Sequence, residues 1–193
     1  MIIYLHGFRS APASHKVRAL AARMAERGLA EQLWCEQLPP SPAAAMTLVE
    51  ARIALQRTRA PQQPPTLVGS SLGGYYATWL AERHGLQAVL VNPAVVAALS
   101  LEPWLGWQSN LYTGERFELT RDHLAELRAL EVPTLSDPQR YWLLVERGDE
   151  VLDYRAAVAR YAGARQTVLD GGDHSFTRWS DYLDDIIHFA GLQ

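Results

Sequence analysis

The sequence predicts an α/β fold of about six mainly parallel strands flanked by helices. Three observations carry that expectation. Short apolar runs recur along the chain, and most are followed by a segment with helical periodicity. The runs are mostly apolar at successive positions, as strands covered on both faces are. Of the 193 residues 48% are apolar, enough for a large core within one domain spanning 1–193.

The elements follow in order. Residues 2–5, Ile-Ile-Tyr-Leu, form the first run. Helix 14–28 then places Val17, Leu20, Ala21 and Met24 on one face, with Arg18, Arg23 and Arg27 elsewhere. The second run is 33–35, and the proline-rich stretch after it punctuates the chain before helix 43–59. A second proline-rich turn leads to the run 66–68 and helix 72–84. The run 88–91 follows. Late in the chain come the run 141–145, helix 153–162, the run 166–169 and a last helix over 176–190, which carries Trp179, Leu183, Ile186 and Ile187. Strand and helix in turn imply a parallel sheet with right-handed crossovers.

One interval breaks this alternation. Residues 93–140 hold no convincing strand, but they include Trp104, Trp107, Tyr112, Phe117 and a helical piece near 120–130. A structureless loop of that length is uncommon in a compact domain. The interval is expected to be an inserted helical cap over one end of the sheet.

Composition narrows the function. A formal charge of −3 and the absence of a basic run argue against nucleic acid as a partner. Cys35 is the only cysteine, so an intramolecular disulfide is impossible and a reducing cytoplasm is expected. Its place in an apolar run suits a packed thiol. The opening MIIYLHG is apolar over too few residues for a signal peptide, and no run approaches the roughly 18 residues of a membrane span. Oligomeric state is not legible in the sequence.

The chemistry centres on Gly69-Ser70-Ser71-Leu72-Gly73. It satisfies G-x-S-x-G only with Ser71 central. In that motif the serine occupies a sharp turn between strand and helix, which lifts its hydroxyl above the sheet. Glycines two residues either way relieve collisions, and the following helix points its positive end at the hydroxyl. By itself the motif also suits a glycine-rich packing turn, so partners decide.

A serine hydroxyl needs a base, and the base needs an orienting acid. Of the histidines after Ser71, His84 lies about three turns down the same helix, too far to reach it, and reads as a capping residue. His123 falls in the inserted segment and reads as solvent-facing; His188 reads as an ordinary residue of the last helix. His174 follows the last strand through Leu-Asp-Gly-Gly-Asp-His, at the strand carboxyl ends where α/β proteins place ligands. The acid should follow the preceding strand. Asp149 stands soonest after it and is favoured over Asp153, which reads as a helix N-cap, and over Glu150 and Asp173. Backbone N–H groups of Leu72 and of Phe8, in the loop after the first strand, are placed to hold an oxyanion. His6 is expected to hydrogen-bond that loop.

With YLHGFRSAP, QLPP, VGSSLGGYYATWLA, VNPAV, LYTGERFEL, GDEVLDYRAAVARY and GGDHSF, nearly the whole chain resembles the α/β-hydrolase superfamily, and within it the YqiA-like esterases. The resemblance implies a compact hydrolase core without the usual leading antiparallel pair. It implies a Ser71–His174–Asp149 triad acting on short acyl esters, with acyl-CoA thioesters as an alternative. Close relatives are expected to carry Asn where Arg9 stands, a change at the pocket rim. A hydrolase-shaped binding protein without turnover is the alternative of a different class. No metal or cofactor enters the expected chemistry, and the expected partner is a small acyl ester or thioester.

Overall fold

The computed structural model describes residues Met1–Gln193. Six parallel strands form the sheet: β1 (Ile2–Leu5), β2 (Leu33–Trp34), β3 (Thr66–Ser70), β4 (Ala88–Val91), β7 (Tyr141–Glu146) and β8 (Arg165–Leu169). Their order is β2-β1-β3-β4-β7-β8, and every neighbouring pair is parallel. After β1 the chain winds first toward β2 and then returns to the other side as β3. That reversal opens a crevice between the carboxyl ends of β1 and β3.

Strand periodicity divides the core into two layers. Ile3, Leu5, Ala88, Leu90, Leu143 and Val145 face one side of the sheet. Ile2, Tyr4, Val89, Val91, Trp142 and Leu144 face the other. Successive side chains point to opposite faces, so a strand buried on both must be apolar throughout. Helices α2 (Pro42–Arg59), α3 (Leu72–His84) and α6 (Tyr154–Arg160) cover the first face, and α1 (His15–Glu26) and α7 (Leu183–Phe189) the second. The expected stripe of α1 is buried through Val17, Leu20 and Met24. No helix is long and apolar enough to cross a membrane.

The segment between β4 and β7 is mixed, where a helical cap was expected. It contains α4 (Ala97–Leu101), the antiparallel pair β5 (Gly106–Ser109) and β6 (Arg116–Leu119), and α5 (Arg121–Ala129). The two strands are short and half-exposed, so they lack the apolar runs that mark the central strands. The last helix also starts later than expected. Residues 179–182 form a 3₁₀ turn before α7, and Phe176 has φ +59°, which ends any helical path there.

Candidate active site

Four loops meet at the carboxyl rim of the sheet. The elbow between β3 and α3 comes first. Ser71 adopts φ +56° and ψ −120°, a conformation that non-glycine residues rarely hold. The turn is pinned from several directions. The Ser71 N–H donates to the Val91 carbonyl at 3.0 Å, and the Ser71 carbonyl accepts from Gly74 and Ala94 at 2.9 and 3.1 Å. A Cβ at Gly69 would strike the Gly73 carbonyl, and one at Gly73 would strike the carbonyl of Leu5 at the end of β1. The second glycine therefore serves the approach of α3 to the neighbouring strand. Gly74 lies so close to Pro93 that an added Cβ would stand 2.6 Å from the proline Cβ, so glycine is needed at 74.

The loop after β8 brings His174 to the elbow. His174 Nε2 lies 3.0 Å from Ser71 Oγ, and Nδ1 lies 2.8 Å from Asp149 Oδ2. Asp149 Oδ1 also accepts the N–H groups of Val151 and Leu152 at 2.9 and 2.8 Å. The Asp149 side chain is 2% exposed and that of His174 23%. An ionised Asp149 requires Nδ1 to carry the ring proton, which leaves Nε2 to accept from the serine hydroxyl. Asp153 instead caps α6 by accepting the Arg155 N–H at 3.0 Å, and the Asp173 side chain accepts the Ser175 N–H at 2.7 Å. Glu150 accepts the backbone N–H of His174 at 3.0 Å.

The loop after β1 completes the rim. A Cβ at Gly7 would lie 3.2 Å from the Ser71 Cβ, so glycine lets this loop pass close to the elbow. The N–H groups of Phe8 and Leu72 donate to no backbone carbonyl. His6 is buried; its Nε2 accepts the Leu38 N–H at 3.0 Å, which puts the proton on Nδ1, beside the Gly7 carbonyl at 3.0 Å. Burial pulls its pKa down, and the neutral ring ties two loops together. Arg9, at φ +59°, donates through Nε to the Ser109 carbonyl at 2.9 Å and joins the loop to the β5–β6 pair.

Sequence reasoning missed two residues that hold the histidine loop. Asn92 donates to the carbonyls of Asp173 and His174 at 3.0 and 3.2 Å, and accepts the Glu146 N–H at 3.0 Å. Glu146 is fully buried at the end of β7. Its carboxylate accepts the N–H groups of Asp173 and Thr177 at 3.0 and 2.9 Å, the Thr177 hydroxyl at 2.9 Å, and Arg178 Nε at 3.1 Å. Burial pushes its pKa up, but these donors outweigh that and hold it below the ordinary value. Gly172 makes the room, since a Cβ there would overlap the Glu146 carboxylate. The available signal is a glutamate directly after the apolar run 141–145.

His84, His123 and His188 stand apart from the rim. His84 Nε2 lies 3.2 Å from Glu50, and His188 is exposed on α7. His123 is half-buried where a solvent-facing residue was expected: its Nδ1 accepts the Thr120 N–H at 3.3 Å, closing a capping box at the start of α5. Cys35 falls just past β2, half-buried, and burial pushes its thiol up to about 12.

Two clefts flank the Gly7–Phe8 loop. The smaller, about 190 Å³, is lined by Phe8, Leu38, Leu72, Tyr76 and Phe117 among others, with Arg9 at its edge. The larger, about 610 Å³, is lined by Ser71, His174, Glu150, Lys16 and Tyr112 among others. Of the aromatics in the inserted segment, Phe117 packs edge-on against Phe8 at 5.8 Å and Trp104 does so at 6.3 Å. Trp107 is 64% exposed and lies under Arg116.

A parallel sheet with a serine elbow after β3 and an acid and a histidine after its last two strands is the architecture of the α/β hydrolases. Solved structures agree on the fold. A protein from Agrobacterium vitis S4, given the provisional description of hydrolase, is 21% identical with a TM-score of 0.71, over 98% of this chain and 87% of that one. Mouse alpha/beta hydrolase domain-containing protein 10 is 14% identical with a TM-score of 0.69, over 97% and 89%. Est1E from Butyrivibrio proteoclasticus, bound to ferulic acid, is 14% identical with a TM-score of 0.68, over 98% and 85%. Within this class the chain belongs to the Uncharacterised protein family UPF0227, whose model matches residues 1–191. This is the YqiA-like family that the sequence motifs resemble.

Proposed function

We propose that the protein is a serine esterase that hydrolyses small acyl esters through an acyl-enzyme on Ser71. One observation carries the reading: a continuous hydrogen-bond chain from Ser71 Oγ through His174 to the buried Asp149, on an elbow that only a constrained turn can hold. His174 Nε2 takes the hydroxyl proton as Ser71 Oγ attacks the ester carbonyl carbon. The carbonyl oxygen becomes an oxyanion, held by the N–H groups of Phe8 and Leu72. Asp149 stabilises the imidazolium and keeps its tautomer. The C–O bond to the alcohol then breaks, and His174 gives its proton to the leaving oxygen. Water, activated by the same imidazole, attacks the acyl-enzyme; the acid departs and the serine regains its proton.

His174 must reach the leaving oxygen, so the alcohol half occupies the larger cleft that His174 lines. The acyl half then enters the smaller cleft beside Phe8 and Leu72, whose volume of about 190 Å³ suits a short chain. Acyl-CoA thioesters follow the same steps with sulfur as the leaving atom. The single cysteine fits work in a reducing cytoplasm. The test is a chain-length panel of oxygen esters and matched CoA thioesters on wild type and Ser71→Ala. Turnover is expected with short chains and to fall by about 10⁶ in Ser71→Ala, with unchanged circular dichroism. Undiminished turnover in the variant refutes the reading.

A further inference from the structure

The larger cleft starts beside Ser71, and two of its lining hydroxyls stand on strands of the central sheet. Tyr4 belongs to β1 and is 1% exposed; Ser70 ends β3 and is 5% exposed. Tyr4 is the one hydroxyl-bearing side chain among the fifteen buried residues of its layer. Phenylalanine would fill that place in the core equally well, so packing does not account for the hydroxyl. The hydroxyl adjoins that of Ser70, and burial raises the phenol's pKa, so it stays protonated. A bond between the two leaves one proton and several lone pairs for a ligand. The sealed side-chain polar atoms that lack a partner are Arg52 Nε and Arg140 Nε. The Tyr4 and Ser70 hydroxyls therefore open onto the cleft that both residues line.

Charge in the same cleft is balanced. Lys16 Nζ donates to the Ser175 carbonyl at 2.6 Å and stands in the field of Asp173, Glu146 and Asp149. Glu150 lines the cleft with Lys16; its Oε2 accepts the His174 N–H at 3.0 Å, which leaves Oε1 to accept from a ligand. An anionic ligand meets Glu150 and the acidic field around Lys16. A cationic ligand meets the ammonium. A neutral hydroxyl accepts from an ammonium and donates to a carboxylate, and it pairs with another hydroxyl in either sense.

We propose that the larger cleft receives the alcohol half of the substrate as a neutral polyol, with Tyr4, Ser70, Lys16 and Glu150 as its hydrogen-bonding partners. A simple alkanol in that place leaves these polar groups without partners, and unmade hydrogen bonds carry a cost. The volume of about 610 Å³ admits an alcohol with several hydroxyls. Placing the polyol in an ester that is cleaved rests on the esterase reading; its recognition by the cleft does not.

The experiment measures kcat/KM for 1-butyrylglycerol and for propyl butyrate, which share the acyl chain and the carbon count of the alcohol. Each value is divided by that ester's rate of alkaline hydrolysis. The ratio of the two is expected to be about ten or more, and to fall several-fold in Tyr4→Phe and in Ser70→Ala. A ratio cancels any general effect of either substitution on the elbow. Butyrylcholine and 1-butyrylglycerol 3-phosphate should both be slower than 1-butyrylglycerol. In parallel, titration followed by ligand NMR gives Kd for 1-butyrylglycerol and propyl butyrate on Ser71→Ala, where binding is read without turnover. The polyol ester should bind several-fold more tightly, with the advantage lost when Tyr4→Phe is added. A ratio near one, a preference that survives both hydroxyl deletions, or faster turnover of either charged ester overturns the subsite. Tighter binding of 1-butyrylglycerol that depends on Tyr4, with no ester turned over by the wild type, supports the subsite and refutes the esterase.

Discussion

Ser71 holds a positive φ that costs a non-glycine residue about 1–3 kcal/mol. Its neighbours make that conformation compulsory: the Val91 carbonyl and the Ala94 N–H fasten both sides of its peptide. Gly73 is the least replaceable of them, because the obstacle to a Cβ is β1 backbone and not a side chain that can swing away. Gly73→Ala should therefore cost about 3 kcal/mol or more, as a lowered denaturation midpoint, and displace the hydroxyl. The two candidate acids separate just as sharply. Asp149→Asn should lower kcat by about 10⁴, since an amide no longer selects the imidazole tautomer. Asp153→Asn should leave kcat within a few-fold, because Asp153 only caps α6 and Asn caps as well. Steady-state kinetics on both variants checks the assignment, and a reversed pattern moves the acid to Asp153.

The loop between β8 and α7 shows why secondary elements matter here as holders of side chains. Residues 171–178 contain two left-handed glycines and a left-handed Phe176, and no repeating hydrogen bonds of their own. Asn92 at the end of β4 and Glu146 at the end of β7 supply what that loop lacks. The Glu146 carboxylate is held below the ordinary value of 4.5. Its stabilisation is therefore fully present above that value and is lost as pH falls through the lowered one. Glu146→Gln should lower the melting temperature most near neutral pH. The gap from wild type should narrow below about pH 4. Thermal melts across that range measure it, and a gap that widens in acid contradicts the account. The variant should also lower kcat more than it raises KM, because His174 loses its support.

The parts of the fold that were legible in the sequence are those set by burial. All six sheet strands lie where apolar runs stood: the four central ones because a strand covered on both faces is largely apolar, the edge strands β2 and β8, only partly buried, because Leu33, Trp34, Val168 and Leu169 still mark them. The elbow and the order of Ser71, Asp149 and His174 were legible because glycine spacing and strand ends are local features. The β5–β6 pair was not, since its half-exposed strands carry Trp107, Gln108, Arg116 and Glu118 without an apolar run. Nor were the roles of Asn92 and Glu146, whose partners lie 54 to 82 and 27 to 32 positions along the chain. The β5–β6 pair has a testable consequence, because Phe117 of β6 closes one side of the smaller cleft. Phe117→Ala should shift the best acyl chain toward greater length in an ester panel; an unchanged optimum would remove the acyl half from that cleft.

The molecule as a whole is a sheet with two sealed faces and one chemically open rim. Its faces hold the two apolar layers, so the strands contribute rigidity, and the polar groups that matter collect where the strands end. Positions 8, 71, 149 and 174 meet only because the sheet order folds the chain back around β1 and β3. The central claim, that this rim activates the Ser71 hydroxyl as a nucleophile, is tested most directly by intact-mass and peptide mapping after treatment with a fluorophosphonate. The account predicts one phosphonyl adduct per chain, on Ser71, absent in Ser71→Ala and formed far more slowly in His174→Ala. An adduct on Ser70, labelling that persists at full rate in Ser71→Ala, or no adduct at all would contradict it.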